Sequence, residues 1–106
     1  MTARAAAPQV LVGAVVFTDL VGFTEYTALQ GDEDALELLA VQERLVEAAL
    51  PPGARVVKEL GDGLLLWFPD ACGAVETSLD LQDTFERESN ESMLPLWVRI
   101  GVQRAR

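Results

Sequence analysis

The middle of the chain, residues 55–68, constrains the fold most, because it has the pattern of two strands joined by a tight turn. Arg55 to Leu60 and Gly63 to Phe68 are rich in valine, leucine and aromatic residues, and only Gly61-Asp62 separates them. The Asp62-Gly63 step that leads into the second run is a strong signal of a β-hairpin. Any architecture for this chain must therefore contain an antiparallel strand pair near its centre.

Two further strands lie towards the ends of the chain. Val10 to Thr18 is an almost continuous apolar run, which predicts a central strand covered on both faces. Trp97 to Val102 predicts the last strand. We expect four aromatic side chains to belong to the core rather than to stack on a ligand, namely Phe17, Phe23, Trp67 and Phe68.

Helical patterns fill the segments between these strands. A loop and a short helical stretch are predicted within Leu20 to Gln30, and Gly31 interrupts them. Asp32-Glu33-Asp34 is predicted to cap a second helix, which Pro51-Pro52-Gly53 ends. Pro69-Asp70 opens a third helix. The predicted inward stripes of the two long helices are Ala35, Leu38, Leu39, Leu45, Val46 and Ala49 in one, and Ala71, Ala74, Val75, Ser78, Leu81 and Phe85 in the other.

The order of elements is thus β, helices, β, β, α, β, which predicts an α+β fold of the ferredoxin-like βαββαβ type, with an antiparallel sheet and helices on one face. In this topology the first two strands run parallel and the third returns between them. Asp19, at the end of the first strand, and Asp62, after the second, should then share one edge of the sheet.

Composition limits the classes of function. The 106 residues suit one domain, with residues 1–9 as a flexible N-terminus and 10–106 as the folded core. A net charge of −9 argues against a nucleic-acid partner and suits divalent cations. The single cysteine favours a reducing, cytoplasmic setting, and no apolar run is long enough to cross a membrane. The chain has no histidine, which removes the usual base of a nucleophilic triad.

Paired carboxylates at one edge repel each other unless a proton or a cation lies between them. Gly22, Gly61 and Gly63 leave room there for a bulky anion, and amides of residues 20–24 could cradle phosphates before a helix. Together these features predict a nucleotide–metal site. Taken singly, each acid has a simpler explanation, because Asp19 could cap the next turn and Asp62 could be an ordinary turn residue.

Three segments, "VVFTDLVGFTEYT", "VVKELGDGLLLWFPD" and "WVRIGV", resemble in order and spacing the catalytic core of class III nucleotidyl cyclases. The matching segments extend from about residue 10 to residue 102. Members of this family make cyclic AMP or cyclic GMP from a nucleoside triphosphate and release pyrophosphate. The resemblance therefore implies a cyclase catalytic domain that acts in intracellular signalling.

The resemblance also implies roles for residues at matching positions. Asp19 and Asp62 would be the catalytic acids that hold two divalent cations, Mg²⁺ or Mn²⁺ with Ca²⁺ as a third candidate, and the carbonyl of Leu20 would complete the coordination. Lys58 resembles the purine-reading lysine of adenylate-type enzymes, which favours ATP over GTP. As an alternative, Lys58 could be a plain exposed strand lysine. The segment that would bind the triphosphate comprises Leu20, Val21, Gly22, Phe23 and Thr24, with Gly61.

In this family the domain continues beyond the matching core, and the downstream part supplies a second base-reading residue, an asparagine for the ribose and an arginine for the transition state. No residue here matches those positions, and Arg104 does not correspond to that arginine. Family active sites form between two chains, which implies a homodimer in the complete enzyme and little or no activity for this chain alone.

The alternatives are a catalytically silent cyclase-like domain that binds nucleotide or dimerises to regulate a partner, and a plain interaction domain, which leaves the acids and glycines unexplained.

Overall fold

The protein is described by a computed structural model that covers residues 13–92 and 95–105; the predicted flexible segment 1–9 lies outside these ranges. No helix within them combines the length and the apolar character needed to cross a membrane. The elements, in chain order, are β1 (Gly13–Leu20), α1 (Phe23–Gln30), α2 (Asp32–Ala49), β2 (Arg55–Leu60), β3 (Gly63–Phe68), α3 (Ala71–Ser92) and β4 (Val98–Ala105). The predicted order of elements and the bounds of the hairpin are confirmed.

The four strands form one sheet in the order β2-β3-β1-β4. Every neighbouring pair is antiparallel, so β1 and β2 run parallel with β3 between them, as predicted. In the β1–β3 register, Asp19 lies opposite Gly63, the first residue after the hairpin turn. This pairing brings the turn of the hairpin beside the end of β1 and confirms the ferredoxin-like topology.

Helices α2 and α3 pack on one face of the sheet and form the core with it. The predicted stripe of α3 is right in most positions, but Val75 is 47% exposed and Thr77 is buried instead. The angular positions of these residues around the helix explain why Val75 is exposed and Thr77 is buried. Residue 75 lies beside the inward face, which consists of residues 74, 77, 78, 81 and 85. In α2 the buried residues are Ala35, Leu38, Val41, Gln42 and Val46, so Val41 and Gln42 are inward positions that the hydrophobic pattern missed.

Within the described residues, no helix packs on the other face of the sheet, so the prediction that β1 is covered on both faces is wrong. Phe17, which points to this open face, is 42% exposed. Right-handed crossovers place both helical connections on the same side of the sheet, which leaves the opposite side uncovered. Phe68 is buried and Phe23 packs against the core, as expected, whereas Phe17 and Trp67 lie on the open face.

The start of α2 differs from the predicted capping. Gly31 is the N-cap residue, and no side chain caps this end of the helix, so Asp32 is the first helical residue. The acids of the first turn still stabilise the helix, since negative charge there interacts favourably with the helix dipole. The helix ends at Ala49, ahead of the two prolines, as predicted.

Gly63 allows the hairpin to approach β1 closely. A Cβ atom at this position would lie 2.0 Å from the main-chain oxygen of Thr18. We therefore expect Gly63→Ala to lower the free energy of unfolding by about 1–3 kcal/mol, measured by urea denaturation, because the backbone must shift to relieve the overlap. Gly73→Ala is the control, since its Cβ would meet only the flexible Asp70 carboxylate, at 3.3 Å. Equal stability of the two variants would contradict this account of the hairpin.

Candidate active site

Two acidic side chains from distant parts of the sequence meet at one edge of the sheet. Asp19 is the penultimate residue of β1, and Asp62 is the second residue of the β2–β3 turn. Their carboxyl groups lie close enough for Asp19 to raise the pKa of Asp62, and both side chains are partly accessible to solvent. The predicted juxtaposition of the two acids is therefore present, and their role as metal ligands stays a prediction.

The contact between these carboxyl groups has an electrostatic consequence. A hydrogen bond between them needs a proton on one of the two, since ionised carboxylates only accept. The hydrogen bond with Asp19 raises the pKa of Asp62 above its ordinary value of 3.8, and burial and the negative charge of Asp19 act in the same direction. The edge of the sheet thus holds a site where either a proton or a cation relieves the repulsion between two acids.

A buried glutamine connects the acid pair to α2. Gln42 Oε1 accepts a hydrogen bond from the Thr18 hydroxyl at 2.9 Å, and Gln42 Nε2 donates one to the main-chain oxygen of Asp62 at 3.4 Å. Gln42 is 1% exposed. The hydrophobic pattern does not single out this residue, because glutamine is polar. Its position gives a signal, however, since residue 42 lies one turn after Leu38 and one turn before Val46 on the inward face of α2.

The segment predicted to wrap a triphosphate begins with two amides that already have partners. The Leu20 N–H donates to the main-chain oxygen of Asp62 at 3.3 Å, and the Val21 N–H donates to that of Trp97 at 2.7 Å. These two residues anchor the segment to the hairpin and to the start of β4. Their amides are therefore committed within the fold, and amides available to an anion must come from later residues.

Gly22 and the residues after it provide such amides. Gly22 is the N-cap of α1 with φ of 75°, and no side chain caps this end of the helix. The first amides of an α-helix have no acceptor within the helix, so those of Phe23 and Thr24 lack an intrahelical partner. Gly61, in the hairpin turn, has φ of 65° and no atom near the position of a Cβ, which leaves space beside the acids.

Lys58 lies on the open face of the sheet, the same face as Asp19. The β2–β3 register shifts between Val56 and Lys58, so Val57 is not paired and Lys58 lies opposite Leu65, which in turn lies opposite Phe17. From strand geometry, its Cα is about 10 Å across the sheet and about 7 Å along it from that of Asp19. The exposed ammonium group can therefore reach a ligand that also reaches the acid pair.

Basic side chains concentrate on the open face although the net charge of the chain is −9. Arg55 lies opposite Trp67, with its guanidinium 5.5 Å from the ring centroid, and Arg99 lies opposite Asp19. Together with Lys58, they place three of the eight basic residues of the chain on this surface. The basic side chains suit an anionic ligand. The negative charge of such a ligand would in turn attract cations to Asp19 and Asp62.

The acid pair fits a hard divalent cation. Within the described ranges, no group of three or more His, Cys, Asp or Glu side chains is arranged to hold a metal ion. Mg²⁺ and Mn²⁺ are commonly held by one or two carboxylates, with substrate phosphates and water completing the coordination. Asp19 and Asp62, whose carboxyl groups interact at this edge of the sheet, provide this donor set.

Comparisons with known proteins place these features in context. No protein-family model matches the chain. It is 34% identical over 90 residues to an adenylate cyclase of Streptomyces coelicolor, covering 84% of this chain and 24% of that protein. It is 35% identical over 89 residues to an adenylate cyclase of Streptomyces griseus, covering 83% and 21%. The chain thus spans under a quarter of the length of these curated relatives.

The fold comparison agrees with the sequence comparison. The solved structure of a bacterial light-regulated adenylyl cyclase matches with a TM-score of 0.79, covering 92% of this chain and 55% of that chain, at 21% identity. At this level of identity the likeness shows the shared fold. The predicted cyclase core architecture is therefore confirmed.

Replacing Asp62 by asparagine tests the electrostatics of the acid pair. Because the pKa of Asp62 is raised in the folded state, this group stabilises the fold fully below its unfolded value of 3.8 and less as pH rises through the folded value. An asparagine donates a hydrogen bond to Asp19 at every pH. Without divalent cations, Asp62→Asn should therefore melt a few degrees higher than wild type at pH 7, with a smaller difference near pH 4.

Thermal melts between pH 4 and pH 7 in the presence of a chelator provide the measurement. Asp80→Asn, an exposed aspartate on α3, is the matched control and should follow the wild-type profile. A constant difference between Asp62→Asn and wild type over this range would show that the two carboxyl groups do not repel each other in the folded protein.

Proposed function

Since the chain is a relative of the adenylate cyclases and has the fold of an adenylyl cyclase, we propose that it forms part of a class III adenylate cyclase catalytic domain. The reaction converts ATP to 3′,5′-cyclic AMP and pyrophosphate, a phosphorus–oxygen lyase reaction. The observation that carries this proposal is the contact between Asp19 and Asp62 at the edge of the sheet. The basic residues on the adjoining open face support an anionic substrate at the same place.

In the proposed mechanism the chain positions the substrate and its cations. Two divalent cations, held by Asp19, Asp62 and the carbonyl of Leu20, would supply Lewis-acid activation of the attacking oxygen and stabilisation of the leaving one when bound. The nucleophile is the 3′-hydroxyl of the substrate, which attacks the α-phosphorus while the bond to pyrophosphate breaks. No protein nucleophile is needed, in agreement with a chain that has no histidine.

The start of α1 is the proposed phosphate-binding element. Its first amides have no acceptor within the helix, and Gly22 contributes no side chain that would occupy them. The positive end of the helix dipole favours a phosphate at this position. Because Leu20 and Val21 are fixed by main-chain hydrogen bonds, the segment is held in place before any ligand binds. Holding the donors in advance reduces the reorganisation needed in the transition state.

Lys58 is the proposed purine-recognition residue. A lysine ammonium offers only donors, which suits the acceptor nitrogen on the Watson–Crick edge of adenine. The corresponding edge of guanine presents N–H donors, which a carboxylate would accept. Lys58 lies on the same face as Asp19 and is exposed, so one nucleotide can contact both residues. This arrangement supports ATP as the substrate.

A second copy of the chain is the proposed cover for the open face in the complete enzyme. Three apolar side chains on or beside this face are substantially exposed: Phe17 at 42%, Val57 at 50% and Leu60 at 42%. The same apolar surface favours a second candidate function, in which a catalytically silent cyclase-like domain binds nucleotide or dimerises to regulate a partner. Both functions need a partner chain, and only the first needs cations at the acid pair.

Calorimetric titration of the purified chain with ATP, with and without Mn²⁺, separates these functions. We expect Mn²⁺-dependent binding of ATP, weakened at least about tenfold by Asp19→Ala because one of the two carboxylate ligands is removed. Asp80→Ala, which removes an exposed acid on α3, is the control and should bind as wild type does. Binding that is independent of Mn²⁺ would favour the silent sensor, and absence of binding would favour an interaction module.

The choice of purine is tested by reversing the charge of Lys58. Lys58→Glu should lower the ratio of ATP to GTP affinity about tenfold, since a carboxylate replaces the donor with an acceptor. Arg55→Glu is the matched control, because Arg55 is an exposed basic residue on the same face of β2. Competition titrations with both nucleotides in the presence of Mn²⁺ give the ratio. An equal change in the two variants would assign the effect to general charge and remove the role of Lys58.

A further inference from the structure

We propose that Gln42 is a positioning residue, which ties the β2–β3 turn to β1 and thereby sets the separation of the Asp19 and Asp62 carboxylates. This inference rests on the proposed function of the acid pair as a cation site. It assigns a role in cation binding to a residue of α2 that touches neither cation nor substrate. Three observations carry it: the burial of the amide, the direction of its hydrogen bonds, and the points that these bonds connect.

The burial of Gln42 indicates a specific role for its amide. The residue is 1% exposed and lies among inward positions of α2 that are otherwise apolar, with Leu38 one turn before it and Val46 one turn after it. Burial of an amide is unfavourable unless both its donor and its acceptor find partners. An apolar side chain of similar length would fill this position without that requirement.

The partners of Gln42 fix the orientation of its amide. The main-chain oxygen of Asp62 can only accept, so the Nε2 group must face it, at 3.4 Å. Oε1 therefore faces Thr18, and the Thr18 hydroxyl, itself 1% exposed, donates to it at 2.9 Å. The result is a directed chain of hydrogen bonds from β1 through α2 to the turn that carries Asp62.

The groups that these hydrogen bonds link surround the acid pair. Thr18 and Leu20 are the two sequence neighbours of Asp19, and the Leu20 N–H donates at 3.3 Å to the same oxygen that Gln42 contacts. The backbone of Asp62 is thus held from both sides of Asp19. A Cβ atom added at Gly61, the other residue of the turn, would have no other atom within 4 Å. Packing at that position therefore does not substitute for the hydrogen bonds.

Affinity for a cation depends on how well the ligand oxygens are held at the correct separation. Groups that orient metal ligands without touching the metal commonly change metal affinity by about 10–100-fold when they are removed. Loss of the Gln42 amide would leave the Asp62 oxygen with the Leu20 N–H as its remaining partner among these bonds. The two-residue turn could then move relative to β1, and the two carboxylates with it.

Gln42→Met is the direct test, because methionine has a similar length and is apolar, so the core stays filled. We expect the melting temperature to fall by several degrees, because the buried Thr18 hydroxyl loses its acceptor, while affinity for Mn²⁺ alone falls about tenfold or more. The loss of the free Mn²⁺ electron-paramagnetic-resonance signal measures the affinity. Leu38→Met is the control, since Leu38 is equally buried one turn earlier and makes no hydrogen bond to the turn.

Thr18→Val provides a second variant that keeps the glutamine. It removes the donor at the far end of the chain of hydrogen bonds, so it should weaken Mn²⁺ binding less than Gln42→Met does. Because the hydroxyl acts through the amide, the double variant should bind Mn²⁺ no more weakly than Gln42→Met alone. Additive losses of Mn²⁺ affinity would show that the two residues act separately, and would overturn the proposed series of hydrogen bonds.

Hydrogen exchange supplies a readout without metal. The Leu20 amide shares the Asp62 oxygen with Gln42, so a freed turn should expose it, and its exchange should accelerate about tenfold in Gln42→Met and stay unchanged in Leu38→Met. Unchanged Leu20 exchange together with unchanged Mn²⁺ affinity in Gln42→Met would overturn the inference while the proposed function stands. Absence of Mn²⁺ binding by the wild-type chain, both alone and together with ATP, would overturn the proposed function, and the role of Gln42 in cation binding with it.

Discussion

The antiparallel pairing of β1 with β3 is the interaction on which the candidate site depends. It places Gly63 opposite Asp19 and so brings the turn that carries Asp62 to the end of the central strand. The approach is close enough that no side chain fits at position 63, where a Cβ would overlap the Thr18 oxygen. Main-chain pairing, an absent side chain and the buried Gln42 amide together hold two acids in contact that would otherwise separate.

This contact leaves a like-charge pair within a stable fold. Such a pair is tolerated because the rest of the structure determines its geometry, and because a proton or cation can relieve the repulsion. Arg99 lies opposite Asp19 on the neighbouring strand, and Arg55 and Lys58 lie farther along the same face. The net charge of −9 therefore does not describe the charge of this surface, since acidic residues on the helices contribute most of that net charge.

Much of the fold could be predicted from the sequence. The Asp62-Gly63 step marked the hairpin, and periodic apolar residues marked both long helices. Other features could not be predicted. An apolar run such as that of β1 has the same pattern whether one face or both are covered, so the exposure of Phe17 was missed. The face on which Lys58 lies depends on an irregularity at Val57, because one unpaired residue reverses the alternation of a strand.

By itself the sequence determined the element order, the positions of the turns and the identity of the two acids, because strand, helix and turn signals are local. Only the tertiary structure decided that the acids touch, that the open face gathers basic residues, and that Gln42 lies inside the core with both halves of its amide paired. The physical reason is that pairing register and helix rotation result from contacts between distant segments. No local sequence pattern encodes those contacts.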